Sequence, residues 1–147
     1  MDMCDLESIK KAVQFINDPI DALVLNAGGN PGTDLTPHGY TKIFGANILG
    51  HVTLTRSLIT AKKLKGSVVY SGTEAARGVP QIGAEKFPWK DFSVEEIKSA
   101  ADGSLFVNSK HPAMDPYGAI KLIGALWIAS IAREYIPRFD LLLLVQV

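Results

Sequence analysis

The sequence predicts an α/β fold with a mostly parallel sheet, on two observations. Short apolar runs alternate along the chain with longer segments of helical periodicity. The early runs end in asparagine, glycine and hydroxyl residues, as buried strands do where they empty into loops. At 147 residues the chain has the length of one domain, and 47% apolar residues with a mean hydropathy of +0.15 suffice for a core.

Taken in order, Leu6, Ile9, Val13 and Ile16 recur at helical spacing and predict a helix from Leu6 to Ile16, capped by Asp5 and stopped at Asn17-Asp18-Pro19. Ala22 to Leu25 predicts a buried strand that opens into Asn26-Ala27-Gly28-Gly29-Asn30-Pro31-Gly32. Gly39 to Ile59 predicts the next helix, with Lys62 and Lys63 at the negative end of its dipole and Gly66 beyond it. Ser67 to Tyr70 predicts a second strand, running into Ser71-Gly72-Thr73. Gly78 to Pro116 is rich in prolines and polar residues and predicts a loop or lid with one short helix, Ser93 to Ala101. Tyr117 to Tyr135 predicts the strongest helix, entered from Asp115-Pro116 and ended by Pro137. Its Ile120, Ile123, Leu126, Trp127, Ile128 and Ile131 predict burial on two sides. Phe139 to Val147 predicts a third strand.

Composition excludes several functions. Fifteen basic residues balance fifteen acidic ones, and the pI is about 6.8, so no overall field draws in nucleic acid or an anionic membrane. A small, roughly neutral partner fits better. Cys4 is the only cysteine, which excludes a disulfide framework and a multi-cysteine metal cluster and points to a reducing compartment. No metal site is expected. The longest apolar stretches, Leu122 to Ala132 and Leu141 to Val147, are shorter than the roughly 20 residues a membrane span needs. Asp2, Asp5 and Glu7 near the start are unlike a secretory signal, so a cytoplasmic protein is expected.

Tyr117 and Lys121 stand four apart on one predicted helix, so their side chains share a face. A lysine cation beside a phenol favours the phenolate, and such a tyrosine can pass a proton to or from a carbonyl oxygen. That spacing alone carries little weight, and its surroundings decide the reading. Asn26-Ala27-Gly28 follows an apolar strand, and its glycines leave room for a ligand near the backbone. Asn47 lies inside a helix, where a short amide is a mediocre former and needs a reason. Ser71 and Thr73 bring hydroxyls to the C-terminal end of a strand, where ligands bind in open α/β sheets.

In this order, these motifs resemble the short-chain dehydrogenase/reductase family over nearly the whole chain, from Cys4-Asp5-Leu6 to about Pro137. Val24-Leu25-Asn26-Ala27-Gly28 and Asn47-Ile48-Leu49-Gly50-His51 are similar to the family's carbonyl reductases and retinol dehydrogenases. The resemblance implies a Rossmann-like, doubly wound parallel sheet and interconversion of a lipophilic carbonyl and its alcohol with NADP or NAD, NADP being favoured. It makes Tyr117 the general acid/base, with Lys121 lowering its pKa and holding the nicotinamide ribose. Asn47 would order a proton-relay water. Asn26, Ala27 and Gly28 would line the cofactor cleft, and Asp5 and Leu6 would approach the adenine. Thr73 falls where the family's catalytic serine stands, with Ser71 as the alternative hydroxyl. The 117–135 helix would mediate homo-oligomer formation.

Nothing in the chain matches the family's glycine-rich turn between a first strand and first helix, or the loop that follows the last strand. The expectation is therefore an incomplete domain, 1–147, lacking the first two strands and the C-terminal part, with an inserted loop or lid at 78–116. Thr73 and Tyr117 lie 44 residues apart, a wide separation for the family. Two other readings remain open: a non-catalytic truncated product that pairs with a full-length subunit, and a sugar-nucleotide epimerase or dehydratase. His51 is read as structural, Trp127 as core or interface, and Lys62, Lys63 and Lys65 as a solvated helix end.

Overall fold

The computed structural model describes residues 1–30, 32, 34–79, 81, 85–112, 114–135 and 141–144. The first helix, α1 (Leu6–Phe15), begins where the sequence places it: the Asp5 carboxylate accepts from the backbone N–H groups of Glu7 at 2.9 Å and Ser8 at 3.3 Å. Ile9 and Val13 turn into the core. At the other end Lys63 Nζ donates to the Val13 carbonyl at 2.9 Å. This corrects the expectation of a solvated helix end for Lys63 alone, which reaches across to the last carbonyls of α1, Val13 and Gln14, while Lys62 and Lys65 stay exposed.

Strand β1 (Ile20–Leu25) pairs in parallel with β2 (Leu64–Ser71), which pairs in parallel with β3 (Leu141–Leu144). Parallel neighbours need helical crossovers, and the alternation seen in the sequence supplies them. The register shifts between Ile20 and Ala22. Gly66 lies there, where an added Cβ would come within 1.9 Å of the Asp21 carbonyl oxygen; only a glycine allows that approach. The predicted third strand is thus found over Leu141–Leu144, while residues 139, 140 and 145–147, and the Pro137 stop, lie outside the described residues.

The single helix expected over Gly39 to Ile59 is divided. Thr41 caps α2 (Lys42–Phe44), a π-helical turn follows over Gly45–Leu49, and α3 (Gly50–Thr60) completes the crossover. Widened turns of this kind arise where a side chain has work outside the helix, and Asn47 lies at the middle of this one.

Ile9, Val13, Leu54, Leu58 and Ile128 pack with Leu25, Val68 and Tyr70 into one cluster, so α1, α3 and α5 (Asp115–Tyr135) share one face of the sheet. On the other face Val24 is 62% exposed. A second cluster joins Ile43, Phe44, Ile48 and Ile120 to Ala100, Ala101 and Phe106. These last belong to the 78–116 segment, which carries α4 (Val94–Asp102), capped by Ser93, and a 3₁₀ turn over Ser104–Phe106. Thr41 fastens that segment down, its N–H and Oγ1 both donating to the Ala101 carbonyl, at 2.9 and 3.1 Å. Along α5, Ile120, Ile128 and Ile131 are buried, but Leu126 is half exposed, so the expected burial on two sides is incomplete in the chain alone. No helix among the described residues is long and apolar enough to cross a membrane.

The cap of α1 yields a stability test. Asp5→Ala should cost about 1 kcal/mol, a fall in Tm of roughly 3 °C for a chain of this size. Asp5→Asn, which caps equally well, should leave thermal unfolding followed by circular dichroism nearly unchanged.

Candidate active site

The loop leaving β1 is held at successive residues by side chains from three other elements. Ser71 Oγ, at the end of β2, donates to Asn26 Oδ1 at 2.9 Å. His51 of α3 places Nε2 2.6 Å from the Ala27 carbonyl; because that carbonyl can only accept, Nε2 carries the proton. Asn47 of the π turn binds Gly29 in both directions, accepting from its N–H at 3.1 Å and donating to its carbonyl at 2.7 Å. The same Nδ2 donates to the Ile43 carbonyl at 2.8 Å. Asn47 is fully buried, so the helix-interior amide that looked out of place in the sequence is paired throughout.

Gly28 is required between these contacts. Its φ is +145°, and an added Cβ would lie 2.5 Å from Asn47 Oδ1. Gly29, with φ +140°, has nothing within 4 Å of such a Cβ. The backbone here therefore faces an open cleft, lined by Gly28, Gly29, Asn30 and Ala46 on one side and Met1 to Cys4 on the other.

Tyr117 and Lys121 stand one turn apart on α5. Lys121 is 4% exposed, and its Nζ donates to the Ser71 carbonyl at the C-terminal end of β2. Burial pushes its pKa below the ordinary lysine value. The ammonium also lies 4.6 Å from the centre of the Tyr70 ring. Thr73 does not point freely to a ligand: its Oγ1 accepts from Ala75 N–H at 3.3 Å and caps the 3₁₀ turn Glu74–Ala76. That turn packs on the start of α5, where an added Cβ at Gly118 would meet the Ala75 carbonyl at 2.6 Å.

Asn26, Ala27, Asn47, Ser71 and Lys121 thus make the hydrogen bonds around the ends of β1 and β2, and Gly28 packs against the Asn47 side chain among them. Asp5 and Leu6 are placed differently. The Asp5 carboxylate is engaged in the α1 cap, and the Leu6 N–H donates to His38 Nε2 at 3.3 Å while its side chain packs on the first core cluster. Met3, Cys4 and Ala46, which line the cleft, carry no motif in the sequence. His51 and Tyr70 were legible only as an ordinary helix histidine and strand aromatic. Burial lowers the pKa of His51, and Lys121 lowers it further against the opposing effect of the Ala27 carbonyl.

No family model matches the chain. A short-chain dehydrogenase/reductase of Armillaria gallica is 31% identical over 123 residues, 76% of this chain and 38% of that protein. A Streptomyces lividans protein named "Probable oxidoreductase" is 33% identical over 84 residues, 54% of this chain and 28% of its own length. The chain therefore spans well under half the length of these curated relatives. Among solved structures, an uncharacterized protein of Mycobacterium paratuberculosis superposes with a TM-score of 0.74 at 21% identity, covering 99% of this chain and 48% of that one. A glucose/ribitol-type short-chain dehydrogenase of Brucella melitensis gives 0.62 at 18%, covering 98% and 51%. A short-chain dehydrogenase of Burkholderia cenocepacia, in complex with NADP, gives 0.59 at 22%, covering 97% and 49%. In sequence and in fold, this chain is a relative of the short-chain dehydrogenases/reductases.

Two outcomes follow from the geometry. Asn47→Ala removes three hydrogen bonds, one of them buried at the Ile43 carbonyl, and should destabilise by about 1–3 kcal/mol. Gly28→Ala should cost less when added to Asn47→Ala than when made alone, because its steric partner is gone while the backbone strain at φ +145° remains; chemical denaturation of the full cycle measures this. For His51, the folded pKa lies below the unfolded value of about 6.5, so the unfolded state binds more protons between the two. Stability should therefore fall as pH drops from 7.5 through that window, by up to about 1.4 kcal/mol per unit, and His51→Gln should flatten the fall.

Proposed function

We propose that this chain carries the proton-transfer half of an oxidoreductase that interconverts a small lipophilic carbonyl and its alcohol with NADP or NAD. The observation that carries the reading is the pairing of Tyr117 with Lys121 on α5, with Lys121 buried and fastened to the end of β2 beside the loop that Asn47 holds. The open backbone at Gly29 suits the close approach of a large, flat, polar ligand, since a side chain there would project into open space beside the cleft, while Gly28 lets the loop seat against Asn47. When bound, a nicotinamide cofactor supplies or accepts the hydride. The relative from Burkholderia cenocepacia, in complex with NADP, supports that class of cofactor.

The remaining steps belong to this chain. Asn26, Ala27 and Gly28 would line the cofactor side of the cleft, with Asp5 and Leu6 toward its adenine end. Lys121 would offer its ammonium donors to ribose hydroxyls and favour the Tyr117 phenolate electrostatically. Tyr117 would give its proton to the carbonyl oxygen in reduction and recover it in oxidation. Thr73, immediately before the turn that abuts α5, would hydrogen-bond the same oxygen, with Ser71 less suited because its hydroxyl is committed to Asn26. Asn47, whose side chain is held in the widened turn, would present its region of backbone to a relay water. The 78–116 segment would wall the substrate mouth, and the half-exposed Leu126 supports contact between copies along α5.

Tyr117→Phe provides the test. With NADPH and NADH binding followed by fluorescence, the variant should retain cofactor affinity within about threefold while reduction of a panel of lipophilic ketones and aldehydes falls by at least a hundredfold. Turnover equal to that of the unmodified chain would overturn the assignment of Tyr117.

A further inference from the structure

We propose that Tyr70 is the positioning residue for Lys121, its buried ring being seated in a notch at Gly124 so that its face holds the lysine ammonium. This deepens the oxidoreductase reading and rests on it for its functional meaning, though the contact itself does not. Tyr117, Lys121 and Gly124 fall on one face of α5, at spacings of four and three. Tyr70 lies directly beneath that face. A Cβ at Gly124 would come within 2.1 Å of Tyr70 Oη and 2.5 Å of Cζ, so the missing side chain on the helix is the space the phenol occupies.

The ring is fixed from several directions. Tyr70 is fully buried on β2, its hydroxyl donates to the Asn47 carbonyl at 3.5 Å, and its edge meets His51 with ring centres 5.9 Å apart at 86°. Lys121 Nζ stands 4.6 Å from its centroid, inside the roughly 6 Å range of a cation–π contact. Among the described residues Lys121 has no ion pair, and its hydrogen bond to the Ser71 carbonyl takes one of its three donors. A carboxylate at this position would hold the ammonium by accepting its protons. An aromatic face attracts the charge without consuming a donor, leaving donors for a ribose hydroxyl. The titratable groups around the ammonium are Tyr70 on β2, His51 on α3 and Tyr117 on α5.

Burial alone drives Lys121 toward the neutral amine, and the electron-rich ring opposes that drift. The test titrates Lys121 directly, through the NMR signal of its 13C-labelled ε-carbon, assigned with Lys121→Met. Tyr70→Phe should keep the midpoint within about 0.3 pH unit, whereas the near-isosteric Tyr70→trifluorophenylalanine, with its ring quadrupole withdrawn, should lower it by roughly one unit. Alongside, the alkaline limb of the pH–rate profile for ketone reduction should move with the midpoint. A midpoint insensitive to fluorination in folded protein would overturn the proposal. A midpoint that moves, with turnover indifferent to Tyr117→Phe, would uphold the ring–ammonium contact and sink the oxidoreductase reading instead.

Discussion

The site depends on one buried amide. Asn47 pairs with both backbone groups of Gly29 and with the Ile43 carbonyl, and this is possible only because the helix widens at Gly45–Leu49 and the loop carries a glycine at position 28. Each of these features would be a cost on its own: a π turn in a crossover helix, a residue at φ +145°, a polar side chain without water. Together they are mutually satisfied. The carbonyl of the same residue receives the Tyr70 hydroxyl, so the residue that sets the loop also holds the ring beneath α5.

From that centre the strand ends become a single hydrogen-bonded surface. Asn26 ties β1 to Ser71, the Ser71 carbonyl receives Lys121, and His51 supports Ala27 between them. The sheet's C-terminal edge is therefore built largely from side chain to backbone bonds, which fix positions more sharply than apolar packing alone. Lys121 and His51, both buried and both drawn toward their neutral forms, lie within electrostatic reach of each other. A change in the protonation of one is felt by the other.

Local chemistry was readable in the sequence, and contacts between distant segments were not. The α1 cap at Asp5, the Ser93 cap of α4 and the apolar strands follow from neighbouring residues, and so appear where the sequence places them. Asn47 was conspicuous as an amide inside a helix, although the wide turn that answers it was not, because π geometry has no sequence period of its own. Lys63 resembled an ordinary basic helix end; its partner, the Val13 carbonyl, is 50 residues earlier. Tyr70 looked like any strand aromatic, and only its juxtaposition with Gly124 gives either residue a reason. Thr73 was singled out by the family resemblance and lies next to the turn that packs on α5, but its role as a cap is written in the backbone beyond it.

The bond pair between Thr41 and Ala101 has a consequence for how such a chain can change over generations. The 78–116 segment is one continuous stretch of sequence, which invites its exchange for the equivalent stretch of a relative. Yet its Ala100, Ala101 and Phe106 complete a core with Ile43, Phe44 and Ile48, and Thr41 is both the cap of the helix leading to Asn47 and the anchor of the segment. A graft whose backbone did not bring a carbonyl to the place of Ala101 would strand the buried Thr41 N–H and the hydroxyl's donor at the root of the widened turn. The 78–116 segment and the residues around Thr41 are therefore coupled in packing, and exchanging both together is expected to disturb this core less than exchanging the segment alone.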